Sequence, residues 1–447
     1  MSLTTKIPKC VSFINELMAN TGYTKQICLV GGAVRDKLLC LPIKDRDYVA
    51  VGYSEKDFSH LSRVGKSFPV FLRQDGSQIA LARREKKVSA GYNGFCVQTK
   101  QVSLQEDLKR RDLTINSIAL DEAKGEYYDP FNGIQDLKNK ILRHTSESFC
   151  EDPLRVLRIA RFRARFGICW KIHPSTKVLI YQMRKELESL EPNRVYREVE
   201  SAMQTPNTSL FFETLFELGV LDIIFPHLYA LTTLKEGNLH HLEASVFAHT
   251  MEVLKITESL AKTLQATQQI SNKQLLILKF AALYHDIAKP YCYRHFGNSS
   301  GHDKQEYILP ALDIFIPKSI QKPMLQLIKN HTKIYKLDEM RPSKIIEFFD
   351  SFCRDKSLLN LQIALLFADR KGRIDLQDST TQSKDSPYDS LSNQAFRQRI
   401  LQTFNALNAY SPKLWLESQK NLPNAQAIKA HVLQEKIKIL DSVFYQV

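Results

Sequence analysis

Strand-forming and helix-forming patterns are segregated along this chain, and that segregation limits the folds open to it. Short β-prone runs at 27–30, 48–51 and 68–72 are broken by Gly, Pro and Asp and lie within the first 150 residues. From Glu151 onward apolar residues recur at helical spacing, as in 154–166, 210–218, 246–260, 274–284 and 358–367. Strand runs followed by helix runs predict an α+β protein with helical domains behind a mixed head. The 447 residues exceed what one core holds and suggest about three domains. Only 16 glycines, well below the usual level of about 7%, argue against a turn-dense all-β chain.

The charge balance, 62 Lys and Arg against 48 Asp and Glu, leaves +14 and points to a polyanionic partner such as nucleic acid. Eight scattered cysteines include no C-x-x-C pair, which predicts buried free thiols in a reducing cytosol. No run approaches the ~18 apolar residues of a membrane span, and the N-terminus lacks a signal-peptide core. Residues 8–20 instead place Val11, Phe13, Ile14, Leu17 and Met18 at helical spacing, as in a short docked amphipathic helix. A soluble cytoplasmic protein is expected. The polar, Ser/Thr-rich stretch 375–392 reads as a linker or loop, and no internal repeat is visible.

Two local patterns carry chemistry. The run 27–30 leads straight into Gly31-Gly32 and then a helical segment, a strand–turn–helix whose backbone N–H groups favour an anion. Arg35, on the first helical turn, adds a charged fork suited to a triphosphate. Asp45 and Asp47 follow at i and i+2, which on a strand puts both carboxylates on one face, where they suit Mg²⁺ and phosphoryl transfer. Alone, Gly-Gly is an ordinary turn and Asp-x-Asp a solvated one. Their succession is what favours chemistry.

Further motifs follow in order: Asp129-Pro-Phe-Asn-Gly133 lies between Arg110-Arg111-Asp112-Leu-Thr-Ile-Asn116 and Glu151-Asp152-Pro-Leu-Arg155-Val-Leu-Arg158-Ile-Ala-Arg161. Together with Gly31-Gly32-x-x-Arg35-Asp36 and Asp45-x-Asp47, these resemble the class II tRNA nucleotidyltransferases of the polymerase-β-like superfamily, the CCA-adding enzymes, and their relatives the bacterial poly(A) polymerases. That resemblance implies a polymerase-β-like head followed by an all-helical neck and body. It implies catalytic, Mg²⁺-holding roles for Asp45 and Asp47, and nucleotide contacts from Gly32, Arg35 and Arg111. Asp152 and Arg155 would read the base edge as a protein template, and Arg158 and Arg161 would meet the triphosphate or sugar. Of Arg110 and Arg111, one is expected to pair internally while the other faces phosphate. Asp112 either orients an arginine or adds a metal carboxylate. Arg155, Arg158, Arg161 and Arg165 form one positive stripe, a plain solvated face in an arbitrary protein. The basic, then glycine-rich segment 82–94 resembles the family's mobile loop near the nucleotide.

A second constellation lies in the helical half. His249, the adjacent pair His285-Asp286 and Asp369 sit in or at the ends of helical runs, and such donors suit a first-row divalent metal. Their H…HD…D order resembles the HD phosphohydrolase superfamily. Behind a class II head it resembles the multifunctional gamma-proteobacterial type, in which the HD domain has phosphatase, 2′-nucleotidase and 2′,3′-cyclic phosphodiesterase activities. All four are read as ligands of a transition metal such as Ni²⁺. His302 and His331 stand nearby as candidates for substrate phosphate or a second metal, or as plain polar residues.

The expected organisation is a head (1–150), a helical neck and body (151–231), an HD domain (232–380) and a C-terminal helical segment (381–447). The expected activity is addition of C, C and A to the 3′ end of tRNA from CTP and ATP, with phosphohydrolase activity beside it. The partners are tRNA and the two nucleotides, with no membrane, for a monomer or homodimer. The alternatives are a poly(A) polymerase or an enzyme adding only A or CC. From other classes come a tRNA-binding phosphohydrolase with an inactive head and a non-catalytic RNA-binding protein.

Overall fold

The computed structural model describes residues 25–65, 69–87, 95–235, 245–266, 270–373, 390–419 and 423–445. Its packing divides the chain into two units. The first runs to Thr205 and takes in Leu210–Ile224; the second takes in Pro206–Ser209 and runs on from Phe225. The expected helix at 8–20 and the glycine-rich part of 82–94 lie outside the described residues. So does the polar stretch 375–392, but for its last three residues.

The first unit holds a mixed sheet. Its strands are β1 (Gln26–Val30), β2 (Asp47–Val51), β3 (Ser62–Val64), β4 (Val70–Leu72) and β5 (Gln78–Leu81). A separate hairpin, β6 (Arg84–Lys87) with β7 (Phe95–Gln98), precedes β8 (Ala119–Asp121) and β9 (Glu126–Tyr128). The sheet order is β3-β4-β5-β2-β1-β8-β9, antiparallel except for β2 beside β5. Cys28, Val30, Val49, Val51 and Ala119 pack with Val102, Leu104 and Leu108 in one core cluster. The helices of this unit are α1 (Gly32–Leu38), α2 (Leu104–Lys109), α3 (Gly133–Asn139), α4 (Leu154–Phe166), α5 (Pro174–Gln182), α6 (Pro192–Met203), α7 (Ser209–Glu217) and α8 (Leu221–Ile224). Between α3 and α5, β10 (Ile141–Leu142) and β11 (Lys171–Ile172) form a parallel pair.

The second unit is helical throughout its described residues. Its elements are α9 (Pro226–Ala230), α10 (Val246–Ala266), α11 (Asn272–Tyr284), α12 (Lys289–Phe296), α13 (Gln305–Ile308), α14 (Lys318–His331), α15 (Pro342–Asp350), α16 (Lys356–Lys371), α17 (Ser390–Ala409), α18 (Lys413–Glu417) and α19 (Ala425–Val443). Helices α10, α11, α14 and α16 pack on one another. Every residue of α11 from Leu275 to Tyr284 is buried, so it forms the bundle's centre. A second core joins α15, α17 and α19 through Phe348, Phe349, Phe404, Leu440 and Phe444. No described helix is long and apolar enough to cross a membrane.

The α+β reading holds, with strands in the described residues of the three expected strand runs and helices in the five helical runs. One expectation fails: of the described cysteines only Cys28 and Cys292 are buried, while Cys40, Cys169 and Cys353 are exposed free thiols. Thiols at loop positions have no core to enter, and cysteine spacing carries no burial signal.

The Asp129–Gly133 motif proves to be a brace. Asp129 accepts from the backbone N–H of Gly133 (2.7 Å) and Ile134 (2.9 Å), capping α3. Gly133 is pressed on the turn at Thr114: a Cβ there would stand 2.2 Å from the Thr114 carbonyl oxygen. Gly133→Ala should therefore cost about 1–3 kcal/mol by overpacking, read as a lowered thermal midpoint. An unchanged midpoint would mean that the turn yields freely.

Candidate active sites

The glycine turn is a cradle with guanidinium walls. Gly31 adopts φ 70°, ψ −132°, a region that side chains avoid. A Cβ at Gly31 would also lie 3.0 Å from Arg111 Nη1, and one at Gly32 3.4 Å from Arg35 Nη2. Antiparallel pairing sets Val30 opposite Asp47, so the carboxylate sits at the turn's end of the sheet. Asp45 precedes the strand rather than lying in it. The residue between them stays tied to the sheet, since the Arg46 carbonyl accepts from Gln78 N at 2.9 Å. Desolvation raises the Asp47 pKa, Arg111 draws it down and Asp45 raises it further. Asp47 thus feels both the arginine of the cradle and its fellow carboxylate, and the two carboxylates are oxygen donors of the kind that suit a hard cation such as Mg²⁺.

Both arginines of the 110–111 pair are tied to a carboxylate that the sequence reading missed. Arg110 Nη2 lies 2.6 Å from Asp107 Oδ1 and Arg111 Nη2 3.1 Å from Asp107 Oδ2. Asp107 is fully buried; burial alone would raise its pKa, but the two arginines hold it below the usual carboxylate range. Its spacing, i−3 and i−4 from the arginines on one helical turn, was the available signal. Arg111 Nε is buried without a hydrogen-bond partner, as in a site shaped for an anion.

From the turn a continuous polar chain runs to α4. Arg165 Nη2 pairs with Asp36 Oδ2 (2.9 Å), and Arg35 Nε donates to Asp36 Oδ1 (2.9 Å). Arg35 Nη1 then donates to Asn116 Oδ1 (2.6 Å) and Asn116 Nδ2 to Asp112 Oδ1 (2.8 Å). Asp112 Oδ2 takes Arg158 Nη2 at 2.7 Å, and its Oδ1 also accepts from Leu113 N. Both Asp112 oxygens are therefore filled by donors, which favours its orienting an arginine over its adding a metal carboxylate. Arg35 differs from expectation too. It is 4% exposed and lies beneath the turn, against Phe162 and Phe166.

The α4 stripe is likewise internally paired rather than a solvated face. Arg161 Nε donates to Glu198 on α6 at 2.7 Å. Arg155 gives Nη1 to the Ser148 carbonyl (2.8 Å) and Nη2 to the Arg110 carbonyl (2.7 Å). Asp152 Oδ1 accepts from Leu154 N (3.2 Å), and its Oδ2 meets Arg194 Nη2 (2.8 Å). Nothing in the sequence pairs Glu198 or Arg194 with this stripe.

Burial would raise the Asp112 pKa, yet Arg158 and the Asn116 amide hold it far below the usual carboxylate range. Its folded pKa is depressed, so its contribution is present above about pH 3.9 and fades as pH falls below that. Asp112→Asn should destabilise the first unit at neutral pH by about 3–5 kcal/mol and flatten its acid limb. Denaturation at pH 7 and pH 3 tests this; equal losses at both would contradict it.

In the second unit, four helices bring their histidines and carboxylates together. His249 comes from α10, His285 and Asp286 follow α11, His331 ends α14, and Asp369 lies in the last turn of α16. His249 Nε2 is 3.1 Å from Asp369 Oδ1, and His285 Nε2 is 3.2 Å from Asp286 Oδ2 and 3.9 Å from Asp369 Oδ1. His285 Nε2 is buried and makes no hydrogen bond, while its Nδ1 donates to the Ala282 carbonyl at 2.8 Å. An anchored imidazole with an unused, buried Nε2 beside two carboxylates fits a divalent metal ligand. Burial would raise both acids. His285 and Lys289 hold Asp286 far below the usual range, and His249 and Arg373 do the same for Asp369. Burial, with His302 and His285, pushes His331 down to about 4, so it is neutral at pH 7. Tyr335 Oη donates to Asp369 Oδ2 (2.7 Å), Arg373 Nη2 lies 3.3 Å from the same oxygen, and Lys289 Nζ is 2.9 Å from Asp286 Oδ2. The sequence reading did not single out these three. Lys289, one helical turn beyond Asp286, was the visible one.

Three family models match successive parts of the chain. Residues 27–143 match the poly A polymerase head domain, 170–231 a probable RNA and SrmB-binding site of polymerase A, and 246–355 the HD domain. Asp369 lies beyond the last match and joins the cluster through the fold. Among solved structures, one described as a CCA-adding enzyme in apo form I superposes with a TM-score of 0.61 at 19% identity, covering 94% of this chain and 87% of that one. The Thermotoga maritima CCA-adding enzyme complexed with tRNA gives 0.59 at 18%, covering 94% and 88%. At such identities the likeness speaks for the fold. In sequence, a multifunctional CCA protein of Mannheimia succiniciproducens is 37% identical over 373 residues, 80% of this chain and 87% of its own. With its motifs in order and a likeness of that extent, the chain belongs to the family of multifunctional CCA proteins.

Proposed function

We propose that the first unit adds C, C and A to the 3′ end of tRNA from CTP and ATP. The observation that carries this is the convergence at one sheet end of the Gly31-Gly32 turn, Asp47 with Asp45 before it, and Arg111 against the turn. Asp45 and Asp47 would hold Mg²⁺, which when bound neutralises phosphate charge and activates the attacking oxygen. The tRNA 3′-oxygen then bonds to the α-phosphorus as its hydroxyl proton leaves; the bond to the β-phosphate bridging oxygen breaks and pyrophosphate departs. Gly32 lets its backbone approach the phosphates, Arg111 supplies charge, and Arg35 holds the turn from beneath. Asp152 accepts from the amino group of cytosine or adenine, exchanging Arg194 for it, and Arg155 offers its remaining N–H groups to a ring acceptor. Uracil or guanine would leave these groups mismatched, a costly outcome in a buried pocket. Arg158 and Arg161, anchored by Asp112 and Glu198, face the triphosphate or sugar.

The second unit is proposed to hydrolyse phosphate esters as a phosphatase, 2′-nucleotidase and 2′,3′-cyclic phosphodiesterase. His249, His285, Asp286 and Asp369 would hold a transition metal such as Ni²⁺, which supplies Lewis acidity and a reactive water. Lys289 and Arg373 keep positive charge at the two carboxylates, where a substrate phosphate would arrive. The setting is the cytoplasm, with the protein a monomer or homodimer on tRNA.

Incubating the protein with tRNA lacking its 3′ end, Mg²⁺, and labelled CTP and ATP should give two C additions, one A, and a stop. A long A ladder would mark a poly(A) polymerase, and A added only to ends already in CC an A-specialist. Asp45→Ala or Asp47→Ala should lower addition by at least about 10²-fold and spare phosphatase activity, and Asp286→Ala the reverse. Loss of both activities in either folded variant would overturn the two-site reading.

A further inference from the structure

One surface of the second unit gathers aromatic rings that no core absorbs. Tyr291 on α12 is 41% exposed, and its ring stacks on His295 at 4.0 Å and on Tyr307 of α13 at 5.0 Å. Phe296, half exposed, stands edge-on to Tyr291 at 6.4 Å and tilted to Tyr307 at 5.9 Å. His295 Nδ1 donates to the Tyr291 carbonyl at 2.9 Å, which fixes its ring. Single exposed apolar side chains are ordinary, but a contiguous patch of rings marks a binding surface.

Cations stand beside this patch. Lys304 Nζ lies 5.5 Å from the centre of the Tyr307 ring and is shared with Glu306 at 3.9 Å. Arg294, exposed on α12, has no ion-pair partner among the described residues. Gln305, two residues before Tyr307, lines a groove of about 370 Å³ whose other wall is α14. Lys318, Lys322 and Lys329 line it too, at i, i+4 and i+11 of one helical face, over about 16 Å of helix. The rest of the lining is glutamine and one leucine, with no carboxylate, and none of the three lysines is ion-paired among the described residues.

Exposed rings beside unneutralised cations answer to one ligand chemistry. A single-stranded polynucleotide presents flat bases and a charge at every phosphate, and is held by stacking and by cationic grooves. An acidic peptide would satisfy the lysines and leave the rings unused; a duplex would offer no base faces. The position ties this surface to the second site. Helix α12 begins at Lys289, which pairs with Asp286; His302 lies two residues before Lys304; and α14 ends in His331. Asp303 accepts from Thr332 Oγ1 at 3.0 Å, joining that loop to the end of α14. Lys289 is buried whereas Tyr291 is exposed, so the rings lie outside the histidine–aspartate cluster, where nucleotides preceding a reacting end would pass.

We propose that α12, α13 and the outer face of α14 form a subsite for an unpaired RNA end, with bases on Tyr291, His295, Phe296 and Tyr307 and phosphates on Lys318, Lys322 and Lys329. This rests on the phosphohydrolase reading and narrows it: the preferred substrate carries its terminal phosphate on an oligonucleotide rather than on a free nucleotide. In a 2′,3′-cyclic phosphate, water adds to phosphorus, one ring P–O bond breaks, and the departing oxygen takes the proton.

The test gives the full chain a short single-stranded RNA ending in a 2′,3′-cyclic phosphate and, separately, a nucleoside 2′,3′-cyclic phosphate. The kcat/KM for the RNA is expected to exceed that for the nucleotide by about tenfold and to fall about tenfold in Phe296→Ala. In Lys322→Gln its log–log salt slope should become shallower by about 0.7. The nucleotide should be turned over as before in both variants. Equal kcat/KM for the two substrates, with neither substitution having an effect, would overturn the subsite and leave the phosphohydrolase reading standing. No hydrolysis of either substrate would overturn that reading, and 5-iodouridine placed in the RNA then decides the surface: photocrosslinks to Tyr291, Phe296 or Tyr307 support it, and crosslinks confined to the first unit sink it. Loss of self-association in Phe296→Ala with RNA turnover intact would make this face a contact between copies of the chain, and the proposal wrong. Should Phe296→Ala fail to fold, the exposed Lys322→Gln and the crosslinks carry the test.

Discussion

The first unit depends on one buried chain of alternating donors and acceptors: Arg165, Asp36, Arg35, Asn116, Asp112 and Arg158. It joins the helix behind the glycine turn, the turn that ends the Arg-Arg-Asp motif, and α4. Its middle members, Asp36, Arg35, Asn116 and Asp112, are buried and stable only because their neighbours are present, while Arg165 and Arg158 at its ends stay partly exposed. The glycine turn and the proposed base-reading helix are thereby held in one geometry. Three motifs that lie far apart in sequence act as parts of one frame, and Gly133, pressed on Thr114, braces its middle.

The second unit solves a similar problem with helix ends. His285, His302 and His331 each tie Nδ1 to the carbonyl three residues earlier, and His249 ties its own to Gly372 at 3.3 Å. The backbone thus fixes both ring orientation and tautomer. Gly372 is itself closely packed, since a Cβ there would meet Val253 Cγ2 at 2.9 Å. Lys289 balances the charge at the Asp286 oxygen that also faces His285, and Arg373 does so at the Asp369 oxygen turned away from the histidines, so both acids stay ionised despite burial.

Much of this architecture was legible from the sequence, because strand and helix runs were separated and the motifs were local. The glycine turn, the two aspartates and the His-Asp pair announce themselves within a few residues. Partnerships did not. Arg35 looked like a ligand from its place on a first turn, and only the fold shows Asn116 and Asp36 occupying it. The arginine stripe was periodic and legible, but Glu198 comes from another helix with no local trace. Asp107 could have been found by helical spacing, whereas Tyr335, from a separate element, could not. The ambiguity at Asp112 was real at the sequence level, since orienting an arginine and binding a metal ask for the same side chain.

The links of this donor–acceptor chain span long stretches of polypeptide, 129 residues from Arg165 to Asp36, 81 from Arg35 to Asn116 and 46 from Arg158 to Asp112, and α4 is tied in turn by Arg161 to Glu198, 37 residues on. Contacts so distant in sequence are slow to form, because loop closure must precede any gain from them. Strands and glycine turn emerge early during synthesis, but the guanidiniums that fix them arrive only with α4, and the anchor of α4 only with α6. The nascent head therefore passes through a long interval in which its carboxylates are made but not yet framed. Its site is completed as a unit, once the polypeptide has been extended past Glu198.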